Sequence, residues 1–185
     1  QVELCLAAIR HFNSNTSVWG ISATIGNIEQ AKDVLLGNTK NENNGVLIKS
    51  NIKKKIQVKS IAPKEIKHMP WRGHLGTNLT PELIPIIKKS KSTLIFTNTR
   101  SQCELWYQKL LEKMPELAGD MAMHHGSIDR NIRLWVENAV RNEKLKVVVC
   151  TSSLDLGVDF HPVESIVQIG GPKGVARFIQ RAGRS

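Results

Sequence analysis

Residues 147–159 read Val-Val-Val-Cys-Thr-Ser-Ser-Leu-Asp-Leu-Gly-Val-Asp. Four apolar residues in succession, three of them β-branched, predict a short strand buried on both faces. Such strands belong to parallel sheets covered by helices on either side. The chain then turns polar at once, placing Thr151, Ser152, Asp155, Gly157 and Asp159 beyond the strand's C-terminal end. Residues 93–100, Thr-Leu-Ile-Phe-Thr-Asn-Thr-Arg, follow the same plan: a buried strand over 93–97, then Asn98, Thr99 and Arg100.

Working outward, apolar spacing predicts helices over 2–12, from Asn27 as N-cap to Leu36 with a stop at Gly37, and from Pro81 to Lys89. Further helices are expected over 100–114, 129–142 and from Gly174 to about Arg181. In the 129–142 helix, Ile132, Trp135, Val136, Ala139 and Val140 are expected to face inward, and Trp106 and Trp135 to join the core. Other strands are expected over 18–23, 45–50, 55–61, 118–123 and 165–169. This alternation defines an α/β fold, a parallel sheet flanked by helices. Every strand of such a sheet presents its C-terminal end at one edge, where ligands bind. The polar segments after residues 23, 96 and 150 therefore collect on one side.

The length of 185 residues fits one domain, or one domain and a piece of another. At 41% hydrophobic and 23% charged residues, the composition excludes a wholly disordered chain. No apolar run is long enough to span a bilayer, and no basic-then-apolar leader opens the sequence. Cys5, Cys103 and Cys150 are odd in number and far apart, which argues against a disulfide framework or a zinc site and for three buried, reduced thiols. His124 and His125 invite a metal reading, but adjacent side chains at a strand end diverge and no third ligand is spaced nearby.

The formal net charge is +10, and residues 51–100 carry eleven basic against two acidic side chains. A polyanionic partner would explain that cluster through counterion release, while a solvated lysine face is the alternative.

The ordered motifs resemble those of superfamily 2 DExH-box helicases, whose motor is two RecA-like domains. Ser22-Ala23-Thr24 is similar to motif III, 94–100 to motif IV, 151–160 to motif V and 180–185 to a truncated motif VI. The similarity is strongest to the large helicase-related (Lhr-like) group, and within it to DNA-ligase-associated helicases. It is carried by SATIGN (22–27), MPWRGHLG (69–76), IFTNTRSQCELWYQ (95–108), HHGSIDR (124–130), VVCTSSLDLGVDF (148–160) and QIGGPKGVARFIQRAGRS (168–185).

The resemblance implies a second RecA-like domain over 46–185 preceded by the tail of the first over 1–45. Both ends then look like cuts through a longer chain. It implies that Arg184, with Arg181 and Gln180, faces the phosphates of ATP, with pairing to an acidic residue as the alternative for Arg181. Gly157, Asp159 and Asp155 are implied near the nucleotide, with an Asx turn as the alternative. Thr97, Asn98, Thr99, Arg100, His125, Gly126, Thr151 and Ser152 are implied along the nucleic-acid backbone, and helix capping is the alternative for Asn98 and Thr99. Ser22, Ala23 and Thr24 are implied to couple nucleotide state to nucleic-acid binding.

The implied partners are ATP with Mg²⁺, single-stranded DNA with RNA as the alternative, the first RecA-like domain in cis, and a DNA ligase and nuclease. The implied setting is a bacterial cytoplasm. The 185 residues contain no GxxxxGK[ST] and no Asp-Glu pair after a strand, so the chain alone is expected not to hydrolyse ATP. A nucleic-acid-binding or regulatory module without motor activity is the rival reading.

Overall fold

The computed structural model describes residues 1–22, 24–37, 45–50, 55–62, 76–155 and 163–184. Ala23, Trp71, Gly157, Asp159 and much of the lysine-rich stretch lie outside them. The chain falls into two compact units, Gln1–Lys55 and Ile56–Ser185, against an expected division at 45/46.

The first unit contains α1 (Val2–Phe12) and α2 (Ile28–Leu36). Asn27 caps α2 as expected, its Oδ1 accepting the Gln30 N–H at 3.1 Å. The other end of α2 is closed from outside. Arg10 of α1 donates to the Leu36 and Leu35 carbonyls at 2.6 and 3.0 Å, satisfying acceptors that a helix terminus leaves open. Gly37 follows at φ 68°, the left-handed region that stops helices.

The strands expected over 18–23, 45–50 and 55–61 do not form among the described residues. A strand needs a neighbour to take its backbone hydrogen bonds, and no ladder is present for these segments. Trp19 and Ile21 are accordingly 88% and 95% exposed. Cys5, expected buried, is exposed, while Cys103 and Cys150 are buried.

The second unit holds the sheet. Its strands are β1 (Thr93–Phe96), β2 (Met121–His124), β3 (Val147–Cys150) and β4 (Ser165–Gln168), all parallel and in the order β2-β3-β1-β4. The sheet is flanked by α3 (Thr80–Lys89), α4 (Arg100–Lys113), α5 (Arg130–Arg141) and α6 (Val175–Ala182). Alternate side chains sort into two cores. Ile95, Val147, Val149 and Met121 pack with Leu83 and Ile87 of α3 and Cys103, Trp106 and Leu110 of α4. Leu94, Phe96, Val148 and Cys150 pack with Val136, Ala139 and Val140 of α5. Each large apolar side chain so enclosed contributes roughly 1.5–3 kcal/mol.

Two expectations need correction here. The second strand starts at Met121, not 118, because Pro115–Leu117 winds into a 3₁₀ turn and the Asp120 carbonyl already accepts from Lys146 and Val147. In α5, Ile132 and Trp135 are 53% and 59% exposed rather than inward. The helix packs over β2, an edge strand, so only the arc bearing Val136, Ala139 and Val140 meets the sheet.

The strand order creates a reversal between β1 and β3. The chain leaves β1 through α4, on one face, toward β2. Leu154 and Val163, on either side of the β3–β4 connection, pack on the other face, and β4 lies beyond β1. Adjacent strands whose connections depart in opposite directions open a crevice beyond their C-terminal ends.

Candidate nucleotide and nucleic-acid site

The crevice is edged by the segments after β1 and β3. Thr97 extends β1 by one pairing, its N–H donating to the Cys150 carbonyl at 2.8 Å. Its hydroxyl is buried and lies 3.1 Å from the same carbonyl. Asn98 is exposed and reaches across to the segment after β4, donating from Nδ2 to the Gly171 carbonyl at 2.9 Å. Gly170, at φ 71°, makes that approach: a Cβ there would lie 3.3 Å from Asn98 Nδ2. Thr99 caps α4, its Oγ1 accepting the Gln102 N–H at 3.2 Å, so the capping alternative holds for Thr99. Arg100 is exposed and donates to Ser127 Oγ at 2.6 Å.

After β2, His125 is turned inward rather than outward. Its Nδ1 accepts the Ser127 N–H at 3.3 Å, and Nε2 lies 3.5 Å from Glu104. Gly126 is exposed, with open space where a Cβ would stand. Beyond β3, Ser152 is exposed and Thr151 half-buried, and Ser152–Leu154 form a single 3₁₀ turn.

The far end of that turn is fastened to α6. Arg181 is 3% exposed and grips Asp155 with two parallel bonds, Nε to Oδ1 at 2.6 Å and Nη2 to Oδ2 at 3.1 Å. Its remaining nitrogen donates to Gln168 Oε1 of β4, and the guanidinium sits 4.5 Å from the centre of the Phe96 ring. Arg177, one helical turn earlier, lies 3.5 Å from the same carboxylate. Arg184 donates from Nη2 to the Asp155 carbonyl at 2.9 Å. Asp155 thus meets three arginines, and its pairing with Arg181 is the alternative raised for that arginine above. Gln180 is half-buried on α6. Ser22 and Thr24 belong to the first unit, where the Thr24 N–H donates to Ser22 Oγ at 3.4 Å.

Sequence reasoning missed the partners of His124. This ring is 1% exposed, with Nδ1 2.7 Å from Ser153 Oγ and Nε2 3.1 Å from Glu137 Oε1 of α5. Nothing in the spacing signals it, since Glu137 and Ser153 lie 13 and 29 residues away. Burial lowers the pKa of His124 below its ordinary 6.5, against the pull of Glu137, and burial lowers that of His125 as well.

The unfolded chain therefore takes up these protons near 6.5, before the folded chain does. Stability falls as pH drops below that value and levels off beneath the folded-state values. We expect Tm to fall between about pH 7.5 and 5.5, and the fall to be shallower in His124→Asn. Equal slopes in the two proteins would refute it.

The described residues contain no cluster of three or more His, Cys, Asp or Glu. They offer no ligand set for Mg²⁺. No helix among them is long and apolar enough to cross a membrane.

A parallel sheet with two covered faces, a reversal between β1 and β3 and arginines rooted beside it define a RecA-like domain. Residues 74–185 match the family described as the helicase conserved C-terminal domain, and the chain belongs to that family. Within it the likeness is to Lhr helicases. The ATP-dependent helicase Lhr-Core of Methanothermobacter thermautotrophicus is 32% identical over 187 residues, covering 100% of this chain and 22% of that protein. The structure of Mycobacterium smegmatis helicase Lhr bound to ssDNA and AMP-PNP matches with a TM-score of 0.53 at 32% identity, over 57% of this chain and 14% of that one. Helicase MrfA bound to DNA matches with a TM-score of 0.55 at 28% identity, over 59% of this chain and 16% of that one. The chain spans about a fifth of the length of the curated relatives it matches.

Proposed function

We propose that the chain is the second motor domain, with the tail of the first, of an ATP-dependent helicase that moves 3′-to-5′ on single-stranded DNA. The observation that carries this reading is the shared turn after β3. Thr151 and Ser152 stand at one end of it, and Asp155 anchors Arg181 and Arg184 at the other.

Arg184 is the group that stabilises charge on the γ-phosphate when a partner domain brings ATP to the crevice. Arg181 and Asp155 hold α6 so that Arg184 is presented, with Gln180 beside it. Gly157 and Asp159 approach the nucleotide ribose. Asn98, Thr99, Arg100, Gly126, Thr151 and Ser152 supply hydroxyl, amide and guanidinium donors to phosphates, which position a strand without reading its bases. Thr97 and His125 act beneath them, supporting those segments from the buried side. Ser22, Ala23 and Thr24 couple nucleotide state to nucleic-acid binding. The net +9 of residues 51–100 favours a polyanionic track. The first RecA-like domain supplies the P-loop and the Mg²⁺ ligands, and a ligase and nuclease are the proposed pathway partners in a cytoplasmic setting.

The test is ATP turnover. The full-length protein is expected to hydrolyse ATP faster with single-stranded DNA present, with an apparent DNA affinity that falls steeply with salt. The 185 residues alone are expected to show no turnover. Substantial ATPase activity in the isolated chain, or none stimulated by DNA in the whole protein, would overturn the reading.

A further inference from the structure

We propose that His124 is a positioning residue: the buried bridge Ser153–His124–Glu137 sets the turn that carries Thr151 and Ser152 toward nucleic acid. This rests on the function proposed above and names how that turn is held.

The bridge joins three elements. His124 ends β2, Glu137 lies on α5 and Ser153 sits in the middle of the 3₁₀ turn after β3. The ring contacts the other two side chains at 2.7 and 3.1 Å. The main chain doubles the connection, because the His124 carbonyl is 3.1 Å from the Thr151 N–H and 2.9 Å from Ser153 Oγ. Thr151 Oγ1 also lies 3.4 Å from Ser153 Oγ. The Ser153 hydroxyl and both nitrogens of the His124 ring are thus engaged in locating this turn.

Hydrogen-bonding capacity makes the arrangement specific. A carboxylate only accepts, so Glu137 fixes the proton on Nε2 and leaves Nδ1 of the neutral ring as an acceptor. Ser153 has one hydroxyl hydrogen for two acceptors, Nδ1 and the His124 carbonyl. A neutral ring draws that hydrogen to itself. Removing the ring acceptor releases the hydroxyl to the backbone alone and unties the turn from α5. The Arg181–Asp155 pair fixes the same turn from its other end, so the turn stays folded while its register toward nucleic acid loosens.

The test compares DNA-stimulated ATP hydrolysis by the full-length protein with that of Ser153→Ala, His124→Phe and His124→Asn. Asn can still accept from Ser153 and donates an amide hydrogen, whereas Phe does neither. The first two variants are expected to need about ten-fold more single-stranded DNA for half-maximal stimulation, with kcat at saturating DNA within about two-fold of the parent. His124→Asn is expected to recover at least half of that shift on a logarithmic scale.

A loss of thermal stability with unchanged half-saturation overturns the proposal and makes the bridge merely structural, leaving the motor reading intact. Equal deficits in His124→Phe and His124→Asn also overturn it. A parent protein that DNA does not stimulate overturns the motor reading, and this proposal falls with it.

Discussion

Asp155→Ala is expected to destabilise the second unit by about 3–5 kcal/mol, the cost of stranding a buried charge. The guanidinium of Arg181 cannot lose its proton, so it cannot escape the penalty by neutralising itself. With the carboxylate gone it keeps Gln168 and the Phe96 ring, inside a core that excludes water. Removing the other member should cost less. In Arg181→Ala the carboxylate retains Arg177 at 3.5 Å, although that arginine is 40% exposed and the contact contributes little.

Replacing both residues by apolar ones of similar volume, Asp155→Leu with Arg181→Met, should recover most of the loss, because neither charge is then left unpaired. Urea titrations of the four proteins provide the measurement. For a domain of this size, 3–5 kcal/mol corresponds to a Tm fall of roughly 10–20 °C. A loss below about 1 kcal/mol in Asp155→Ala would show that the pair is solvated rather than buried.

Arg184→Ala should lower the kcat of the full-length ATPase at least about a thousand-fold, the effect typical of an arginine that meets the transferring phosphoryl group. ATP binding should change far less, since the contact develops with the charge of the transition state. Arg184→Lys should be nearly as damaging. One ammonium cannot both hold the Asp155 carbonyl and offer a second planar face to a phosphate. The regulatory-module reading predicts an unchanged ATPase in both variants, so kcat decides between the two. Circular dichroism of each variant checks that α6 remains folded.

What could be read from the sequence was whatever a single segment determines. β1 and β3 declared themselves through the apolar runs 94–96 and 147–150, and the caps at Asn27 and Thr99 follow from local hydrogen bonding. Segments that depend on a partner misled. Val18–Ile21 has the composition of a strand but no ladder to join among the described residues, and Trp135 has the spacing of a core residue but hangs beyond an edge strand. The site divides in the same way. Its loops were legible because a parallel sheet must deliver them to one edge. The ties between them were not, because Asp155 meets Arg181 across 26 residues and His124 meets Ser153 across 29.

Ser152 and Asp155 are separated by one turn of 3₁₀ helix, about 6 Å along its axis at the usual rise. On the proposed function, a signal from occupied nucleic acid therefore has almost no distance to travel before it reaches the arginines. No relay through the sheet is required, and no hinge within the domain. The turn behaves as a stiff coupling between two tools, fixed to β2 at one end and to α6 at the other. In the proposed motor, wear at either fastening would uncouple ATP hydrolysis from the grip on nucleic acid.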